Sequence, residues 1–485
     1  METRKAVLVA AVVVLIAFSG FLVYQDLSGQ GCHAPMSTTP SKYQAGKVQF
    51  GAVTEYCLAG PERWANGIAA SPDGSVWFGE QAVPGIAQLF PNGTVDEHAF
   101  PNSNGTAGPI TDYKSGIWGV ALWRGMVWAG DDAANSIVGY SPSNGTFRVL
   151  PIPHKGYIPY TLTPGPDGAL WFTALLQNGT LGRISPSLSL TMYPVFKNQT
   201  QIPVDIQFVN ASLGYYVALD PFHGAESGLY AFDPGNVSGG VTPRQVKGGL
   251  GLTYANSLSI SSGGIWVAQH LASNIVGYDL KSQGWTVYPT STLSFTNTAL
   301  PYFVRSSGST VWFNEHYANR IGALSPASGT LTEYSEADPP INDKSKLQND
   351  LTIAYSSSGL WFTSTTGNYI GLIDGSYAPG FSLSASGDNS LTLSVGGTAS
   401  AHLRLTGSWS SGLKVSVSDS ENFTSYPTFI SVQPDKTLVP AGTGPVPLDV
   451  TLSARNGLLP GRYTVGVTVT DGLLYQTAYL FVTIE

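Results

Sequence analysis

The chain has 485 residues, a formal net charge of −8 and only 11% charged residues, and it contains no long basic run. These features argue against nucleic-acid binding, which needs a concentrated positive surface. Glycine (56 residues), tyrosine (24) and tryptophan (11) are abundant, and no amphipathic helix of useful length is visible. The composition is therefore typical of an all-β protein built from short strands and turns.

The N-terminal segment predicts a membrane anchor. Residues 6–24 form an apolar run that follows Arg4 and Lys5, and its length suits a single transmembrane helix. Basic residues on the short side favour a cytoplasmic N-terminus and an extracytoplasmic body held at the cell membrane. A cleaved signal peptide, which would give a secreted protein, is the alternative. We assign residues 1–27 to the anchor or signal and residues 28–47 to a linker.

A large aromatic residue then recurs at intervals between 43 residues (Trp128 to Trp171) and 51 residues (Trp77 to Trp128). Each copy lies in a short apolar run between turns rich in Gly, Pro, Ser and Asn. A fixed period of this size is typical of a β-propeller in which each period is one four-stranded blade. The sequence therefore predicts a seven-bladed β-propeller over residues 48–379. The seven aromatic residues are Trp77, Trp128, Trp171, Tyr216, Trp266, Trp312 and Trp361.

The ends of the repeat predict how the ring closes. The last repeat has three predicted strands within residues 351–373 and no fourth. Residues 51–56 (GAVTEY) closely resemble the fourth strand of the preceding repeat, residues 329–334 (GTLTEY). We therefore expect residues near 48–57 to supply the missing outer strand, because such closure hides the edges that an open array would expose.

The pattern changes after Gly380. Apolar and polar residues alternate in short runs, such as residues 391–395 and 463–469. About seven such strands in about 100 residues predict an immunoglobulin-like β-sandwich over residues 380–485. No catalytic constellation is visible there, so we interpret this region as a spacer or adhesion module.

Two features agree with an extracytoplasmic location. Cys32 and Cys57 are the only cysteines, and in an oxidising compartment we expect them to form a disulfide, with two free thiols as the alternative. Eight Asn-x-Ser/Thr sequons predict a glycoprotein, although Asn-Gly-Thr also makes good turns. The sequons lie at Asn92, Asn104, Asn144, Asn178, Asn198, Asn210, Asn236 and Asn422.

Polar residues collect in the loops at one predicted mouth of the central channel. The loop between strands two and three lies on the same face as the loop that enters strand one. Polar exposed loops are common, but a rigid ring would also preorganise these side chains for binding a small-molecule, peptide or glycan ligand. The ligand-binding residues that we expect are Glu80, Asp131, Tyr160, Asp205, Asn256, Tyr302 and Asp350.

Three residues of this mouth have side chains suited to metal binding and acid–base chemistry. His270 lies in one loop, and Glu315 and His316 lie in the equivalent loop of the next repeat. Carboxylates and imidazoles that face one cavity can hold a divalent ion or supply a general base. We expect Glu315, His316 and His270 as ligands of Mg²⁺ or Ca²⁺, and the two histidines as catalytic candidates.

The repeats resemble those of the virginiamycin B lyase (streptogramin lyase) family, over roughly residues 48–374. The resemblance rests on residues 312–315 (WFNE) and 319–322 (NRIG), followed by Pro326, Gly329, Glu333 and Tyr334. It implies a seven-bladed propeller that linearises a cyclic depsipeptide by β-elimination. In that reaction a histidine removes the proton α to a carbonyl, while Mg²⁺ held by His and Glu stabilises the enolate.

The chain departs from the family pattern at the catalytic positions. Glu315 matches the family's acid, but His316 stands directly beside it, where the family places its histidine two positions after the acid. At the family's other histidine position this chain has Asn256 or Tyr302. We therefore expect a monomeric, non-catalytic binding propeller, with lyase-like elimination as the alternative.

Overall fold

The computed structural model describes residues 42–59, 63–81, 85–101, 116–153, 155–175, 179–196, 201–220, 227–246, 255–291, 299–315, 317–336, 350–365, 367–419 and 430–485. These residues form strands and turns, which confirms the all-β class. No helix among them is long and apolar enough to cross a membrane. The predicted anchor, residues 1–27, lies outside the described residues.

The strands before residue 375 follow one another in short antiparallel groups. They are β1 (Lys42–Gln44), β2 (Gly46–Phe50), β3 (Val53–Cys57), β4 (Ala65–Ala70), β5 (Val76–Glu80), β6 (Gly85–Leu89), β7 (Thr94–Ala99), β8 (Val120–Trp123), β9 (Met126–Asp131), β10 (Ser136–Ser141), β11 (Thr146–Pro151), β12 (Ile158–Pro164), β13 (Leu170–Leu175), β14 (Thr180–Ile184), β15 (Leu190–Pro194), β16 (Ile202–Asn210), β17 (Leu213–Leu219), β18 (Gly228–Phe232), β19 (Arg244–Gln245), β20 (Ala255–Ile260), β21 (Gly264–Gln269), β22 (Asn274–Asp279), β23 (Trp285–Pro289), β24 (Pro301–Ser307), β25 (Thr310–Glu315), β26 (Arg320–Ser325), β27 (Thr330–Ser335), β28 (Asp350–Ser356), β29 (Gly359–Ser364) and β30 (Tyr369–Asp374).

The C-terminal strands are longer on average. They are β31 (Phe381–Ala385), β32 (Ser390–Leu393), β33 (Thr398–Trp409), β34 (Leu413–Asp419), β35 (Ile430–Pro434), β36 (Leu438–Val439), β37 (Gly442–Thr443), β38 (Val446–Ala454), β39 (Gly461–Thr470) and β40 (Leu474–Ile484).

The chain divides into two compact units. Unit one comprises residues 1–260 and 338–375, and unit two comprises residues 261–337 and 376–485. Within unit one, β4–β7, β8–β11, β12–β15 and β16–β19 each form an antiparallel sheet in sequence order, and β28–β30 form another. Within unit two, β21–β23 and β24–β27 follow the same pattern. This repetition is propeller-like, as predicted.

A contact between an aromatic ring and a glycine recurs in several sheets. An aromatic residue on the second strand packs against a glycine that lies opposite it on the third strand. Phe172 faces Gly182 and Phe313 faces Gly322. A Cβ atom on either glycine would overlap the aromatic ring. The pairing therefore fixes a small residue on the third strand.

The closing strand of unit one lies where the sequence predicts it. β3 pairs with β30, so that Val53 faces Ile373 and Cys57 faces Tyr369. Two further strands were not predicted: β2 pairs with β3 on its outer side, and β1 pairs with β7. Residues 42–50 thus contact the outer edges of both the first and the last sheet of this unit.

The C-terminal strands of unit two form two sheets. One has the order β31-β33-β38-β35, and the other has the order β40-β39-β34-β36. The second sheet continues into the repeat, because β40 pairs with β27 and places Tyr475 opposite Glu333. In β33 buried and exposed residues alternate, whereas β40 is largely buried on both faces. The immunoglobulin-like assignment and the boundary at residue 380 stay predictions.

Candidate ligand-binding site

The first strand of several sheets begins with a β-bulge, a feature often found beside functional sites. The pairing register shifts between Pro159 and Leu162 in β12, and equivalent shifts occur in β4, β16, β24 and β28. In three sheets a polar side chain of the second strand accepts the N–H of a bulge residue. These bonds join Thr161 to Thr173 (3.1 Å), Phe303 to Asn314 (2.7 Å) and Thr352 to Thr363 (3.3 Å).

An aromatic pair lies near the starts of two first strands in unit one. Trp118 lies two residues before β8, and Tyr160 lies in the bulge of β12; their ring centroids are 5.6 Å apart. Trp118 is half-buried, whereas Tyr160 is buried. Gly119 permits the close approach of the two strands, because a Cβ atom there would lie 2.6 Å from the Tyr160 carbonyl oxygen.

Two carboxylates lie at the end of β9, and one of them, Asp132, faces the Trp118 side chain. Asp131 is buried and its Oδ1 accepts the N–H of Ala134 at 3.1 Å. Asp132 is half-buried and accepts the Gly116 N–H. Burial raises the pKa of Asp131, and it raises the pKa of Asp132 to about 7, with a contribution from Asp131 and opposition from the Gly116 N–H. Asp132 therefore titrates near neutral pH, within reach of the Trp118 indole.

Glu80 is placed differently from the other predicted ligand-binding residues. It is 1% exposed and belongs to a buried cluster that we call the Arg63 network, consisting of Arg63, Glu80, Glu97 and Tyr43. Arg63 donates to both carboxylate oxygens of Glu97, at 3.0 and 3.1 Å, and its Nε lies 3.9 Å from Glu80. Burial raises the pKa of Glu80 well above its ordinary value, with a further increase from Glu97 and opposition from Arg63.

Asp205 and Asn256 are also buried. Asp205 is 0% exposed, and its carboxylate accepts the Ser257 hydroxyl at 2.6 Å and the Leu258 N–H at 3.0 Å. These bonds join β16 to β20. Asn256 is 8% exposed, and Asp350 begins β28.

In unit two the predicted metal-binding residues differ in burial and in the side chains that they contact. His270 is half-buried, and its ring meets Tyr302 edge-on at a centroid distance of 5.5 Å. Glu315 is 0% exposed, and Arg320 Nε donates to its Oε2 at 2.7 Å. His316 lies outside the described residues. Within the described ranges, no group of three or more His, Cys, Asp or Glu side chains is placed to hold a metal ion.

Glu315 belongs to a second buried cluster, the Arg320 network, consisting of Arg320, Glu315, Glu333, Ser291 and Tyr475. Arg320 donates to Ser291 Oγ (2.6 Å) and Ser291 O (3.0 Å), lies 3.6 Å from Glu333 Oε1, and stacks over the Tyr475 ring at 4.6 Å. Arg320 occupies Glu315 Oε2, whereas Glu315 Oε1 has no hydrogen-bond partner among the described residues. A divalent ion at this carboxylate would therefore lie beside the Arg320 charge.

Four sequon asparagines lie among the described residues, and all four are exposed. Three of them also stabilise the turn in which they lie. Their Oδ1 atoms accept the N–H two residues later, in Asn92–Thr94 (2.9 Å), Asn144–Thr146 (3.2 Å) and Asn210–Ser212 (2.9 Å). The fourth, Asn236, is exposed. Glycosylation stays a prediction, and Asn104, Asn178, Asn198 and Asn422 lie outside the described residues. Cys57 is buried in β3, whereas Cys32, its predicted disulfide partner, also lies outside them.

Comparison with known proteins agrees with the repeat and the fold. A family model described as the virginiamycin B lyase family matches residues 37–201. A solved streptogramin B lyase structure superimposes with a TM-score of 0.53 over 66% of this chain and 96% of that chain, at 20% identity. Residues 37–201 are therefore similar to the virginiamycin B lyase family, and the fold is propeller-like. The resemblance noted in the sequence is thereby confirmed.

The curated relative covers less of the molecule. A virginiamycin B lyase of Nocardia farcinica (strain IFM 10152) is 29% identical over 129 residues, which are 27% of this chain and 41% of that protein. The chain thus spans about two fifths of the length of the curated relative that it matches. The structural likeness, at 20% identity, shows the fold alone. A shared fold alone does not establish an activity for this chain.

The sequence placed Trp118 and Asp132 in the loops at the predicted mouth, although not among the expected ligand-binding residues, and it did not identify Arg63 or Arg320 as site residues. For Trp118 and Asp132 a signal was present: Trp118 stands near the start of a first strand directly before a glycine, and Asp132 extends the predicted Asp131. For the two arginines no local signal exists, because each faces its carboxylates only after folding.

Proposed function

We propose that this protein is a membrane-anchored, extracytoplasmic seven-bladed propeller with an immunoglobulin-like C-terminal domain, and that it binds a small-molecule, peptide or glycan ligand without catalysis. The observation that carries the proposal is the cluster of Trp118, Tyr160, Asp131 and Asp132 in unit one. An aromatic pair offers an apolar face with polar edges, and adjacent carboxylates accept hydrogen bonds or a positive charge. Such a combination is typical of a binding site with few polar groups on an aromatic wall.

The placement of Glu315 supports binding over elimination. The resemblance assigns to this position the acid that holds Mg²⁺ and stabilises an enolate. In this chain the Glu315 carboxylate is fully buried and ion-paired with Arg320. Arg320 already places a positive charge beside Glu315, and a divalent ion bound there would be repelled by it.

The test uses the full chain and a cyclic depsipeptide as the probe. We expect saturable binding in isothermal titration calorimetry with and without Mg²⁺, and recovery of an intact ring. Trp118→Ala and Asp132→Asn should each weaken binding at least tenfold, since each removes a main contact of the cluster. Tyr355→Ala is the matched control, because Tyr355 is an exposed aromatic residue at the other end of a first strand.

The enzyme alternative is favoured by one observation, the half-buried His270 imidazole beside Tyr302. A histidine in such a place can accept a proton α to a carbonyl. Elimination would yield a linear isomer of unchanged mass, which chromatography separates from the ring, whereas hydrolysis would add the mass of one water. Ring opening that is abolished by EDTA and by His316→Ala would overturn the binding proposal.

The location is tested separately. We expect the protein to sediment with membranes and to resist extraction by high salt, because residues 6–24 are expected to span the bilayer. Release as a soluble protein that lacks these residues would instead support the cleaved signal.

A further inference from the structure

Residues 42–50 lie across two sheet edges of unit one, and we call this segment the seam clasp. β1 pairs with β7 of the first sheet, so that Tyr43 faces Val95. β2 pairs with β3, the outer strand of the last sheet. Between the two strands, the Ala45 N–H donates to the Gly93 carbonyl at 2.9 Å. The clasp therefore joins the first sheet to the last by a second connection besides β3.

Tyr43 places the clasp over the Arg63 network. Its hydroxyl accepts the Ala59 N–H at 3.0 Å, and its side chain is half-buried beside Glu80, Glu97 and Arg63. The neighbouring residues of β1, Lys42 and Gln44, are exposed. Tyr43 is therefore the residue of β1 that covers the buried charges.

Among the described residues, the Arg63 network has one positive group, Arg63, for the two carboxylates of Glu80 and Glu97. Glu80 and Glu97 are 1% and 6% exposed and lie within hydrogen-bonding reach of each other. Arg63 occupies both oxygens of Glu97, and Glu80 Oε1 has no hydrogen-bond partner among the described residues. With both carboxylates ionised, a buried net charge of one would remain, which is strongly unfavourable. A single proton shared by Glu80 and Glu97 removes this charge and supplies the missing hydrogen bond.

We propose that a proton controls the seam clasp. β1 stays paired with the first sheet while Glu80 and Glu97 share a proton, and it is released from that sheet when the proton is lost. Loss of the proton leaves one negative charge under Tyr43. Lifting β1 is the least costly way to hydrate that charge, because β1 is three residues long and two of them are exposed. The described groups that face Glu80 are Arg63, Glu97 and Tyr43.

The sign of the pH dependence follows from Glu80. Its pKa in the closed state is raised by burial and by Glu97, with Arg63 opposing. Closure is therefore complete below the ordinary pKa of glutamate and is lost as pH rises through the raised pKa. Between these two pKa values the opening constant should grow about tenfold per pH unit, and above the raised value it should level off.

Hydrogen–deuterium exchange of the full chain measures this directly. Protection of the β1 and β7 amides, corrected for intrinsic exchange, should fall about tenfold per pH unit over that window. The β14 and β15 amides serve as the internal control, because neither strand contains an acidic residue. Equal pH dependence of the two strand pairs would overturn the proposal.

Two variants separate the proton from general stability. Glu80→Gln keeps the shape and puts an amide N–H where the shared proton lies, so β1 should stay protected at every pH. Glu315→Gln makes the same change in the Arg320 network and should leave the β1 slope intact. Persistence of the slope in Glu80→Gln would contradict the proposal. If Glu80→Gln does not fold, the pH dependence of β1 protection in the wild-type chain is the deciding measurement. Protection of β1 that does not change with pH would overturn the proposal.

Discussion

In both the Arg63 network and the Arg320 network one arginine lies beside two buried glutamates, but the arginine comes from a different position in the sheet. In both, one acid ends the second strand of a sheet and the other lies on the fourth strand. The matching acids are Glu80 and Glu315 on second strands, and Glu97 and Glu333 on fourth strands. In both, a tyrosine from an added outer strand covers the pair: Tyr43 from β1, and Tyr475 from β40.

The compensating cation comes from different positions. Arg320 begins the third strand of its own sheet, directly opposite Glu315. The equivalent position in the first sheet is Gly85, and the guanidinium comes instead from Arg63, which precedes the first strand. The comparison shows that charge compensation is maintained in space although it is not maintained in sequence. From sequence alone, an acid at the end of a second strand is therefore easily taken for a ligand-binding residue, because the arginine that pairs with it is identified only in the folded structure.

The largest expected effect is removal of the cation. Arg320→Met should destabilise unit two by about 3–5 kcal/mol, because it leaves two buried carboxylates without a counter-charge. Urea unfolding monitored by tryptophan fluorescence measures the loss. Arg305→Met is the control, since Arg305 is half-buried, bonds the Val304 carbonyl and should cost about 1 kcal/mol or less. Similar losses for the two variants would show that the Arg320 network is not a compensated buried cluster.

A smaller effect distinguishes the third strands of the two sheets. Phe313 faces Gly322, whereas Phe78 faces Ala87 at the matching position. Gly322→Ala should cost about 1–3 kcal/mol, because the added Cβ overlaps the Phe313 ring. Ala87→Gly should cost only about 0.5–1 kcal/mol, through added backbone freedom. Thermal unfolding of both variants would measure this difference, and a harmless Gly322→Ala would refute the ring-contact explanation.

The pH dependence of Asp132 contrasts a half-buried acid with the two buried networks. Burial raises the pKa of Asp132 to about 7, so its stabilising contribution is complete below the ordinary aspartate pKa and is lost as pH rises through about 7. The slope should not exceed about 1.4 kcal/mol per pH unit. Asp132→Asn should remove this component from a plot of unfolding free energy against pH. If Asp132→Asn leaves the dependence of unfolding free energy on pH unchanged, Asp132 would be solvent-exposed rather than half-buried.

The smallest effect belongs to the exposed part of the clasp. Lys42 Nζ lies 3.0 Å from Asp96 Oδ2, but the lysine side chain is 63% exposed. Lys42→Ala should therefore cost about 0.5 kcal/mol or less, and less again in high salt. Tyr43→Ala in the same strand should cost more, because Tyr43 covers the buried acids. A larger loss for Lys42→Ala in the same unfolding experiment would mean that surface charge holds β1.

The sequence predicted the parts of the fold that depend on local pattern. The aromatic period identified the repeat, and the likeness of residues 51–56 to residues 329–334 identified β3 as the outer strand beside β30. β1 was not predicted, because three residues carry no periodicity. The continuation of β27 into β40 was also missed, because pairing between strands 144 residues apart leaves no local trace (Thr332 faces Gln476).

Of the expected ligand-binding residues, Tyr160 lies beside Trp118, and Asp131 precedes Asp132, which faces the Trp118 side chain. Their role in ligand binding stays a prediction. Glu80 and Glu315 were selected as polar loop residues, but the structure buries both against an arginine. Burial of this kind depends on partners far away in sequence, such as Glu97 for Glu80, and residue type alone does not reveal it.

The most direct test of the account is the protonation state of the Arg63 network. Infrared spectra of the wild-type chain at neutral pH should contain the C=O stretching band of a protonated carboxylic acid, because Glu80 and Glu97 are inferred to share one proton. Glu80→Gln should abolish that component, and Arg183→Lys, at a partly exposed ion pair, should leave it unchanged. Spectra of wild type and Glu80→Gln that show the same carboxylic acid bands would contradict the account.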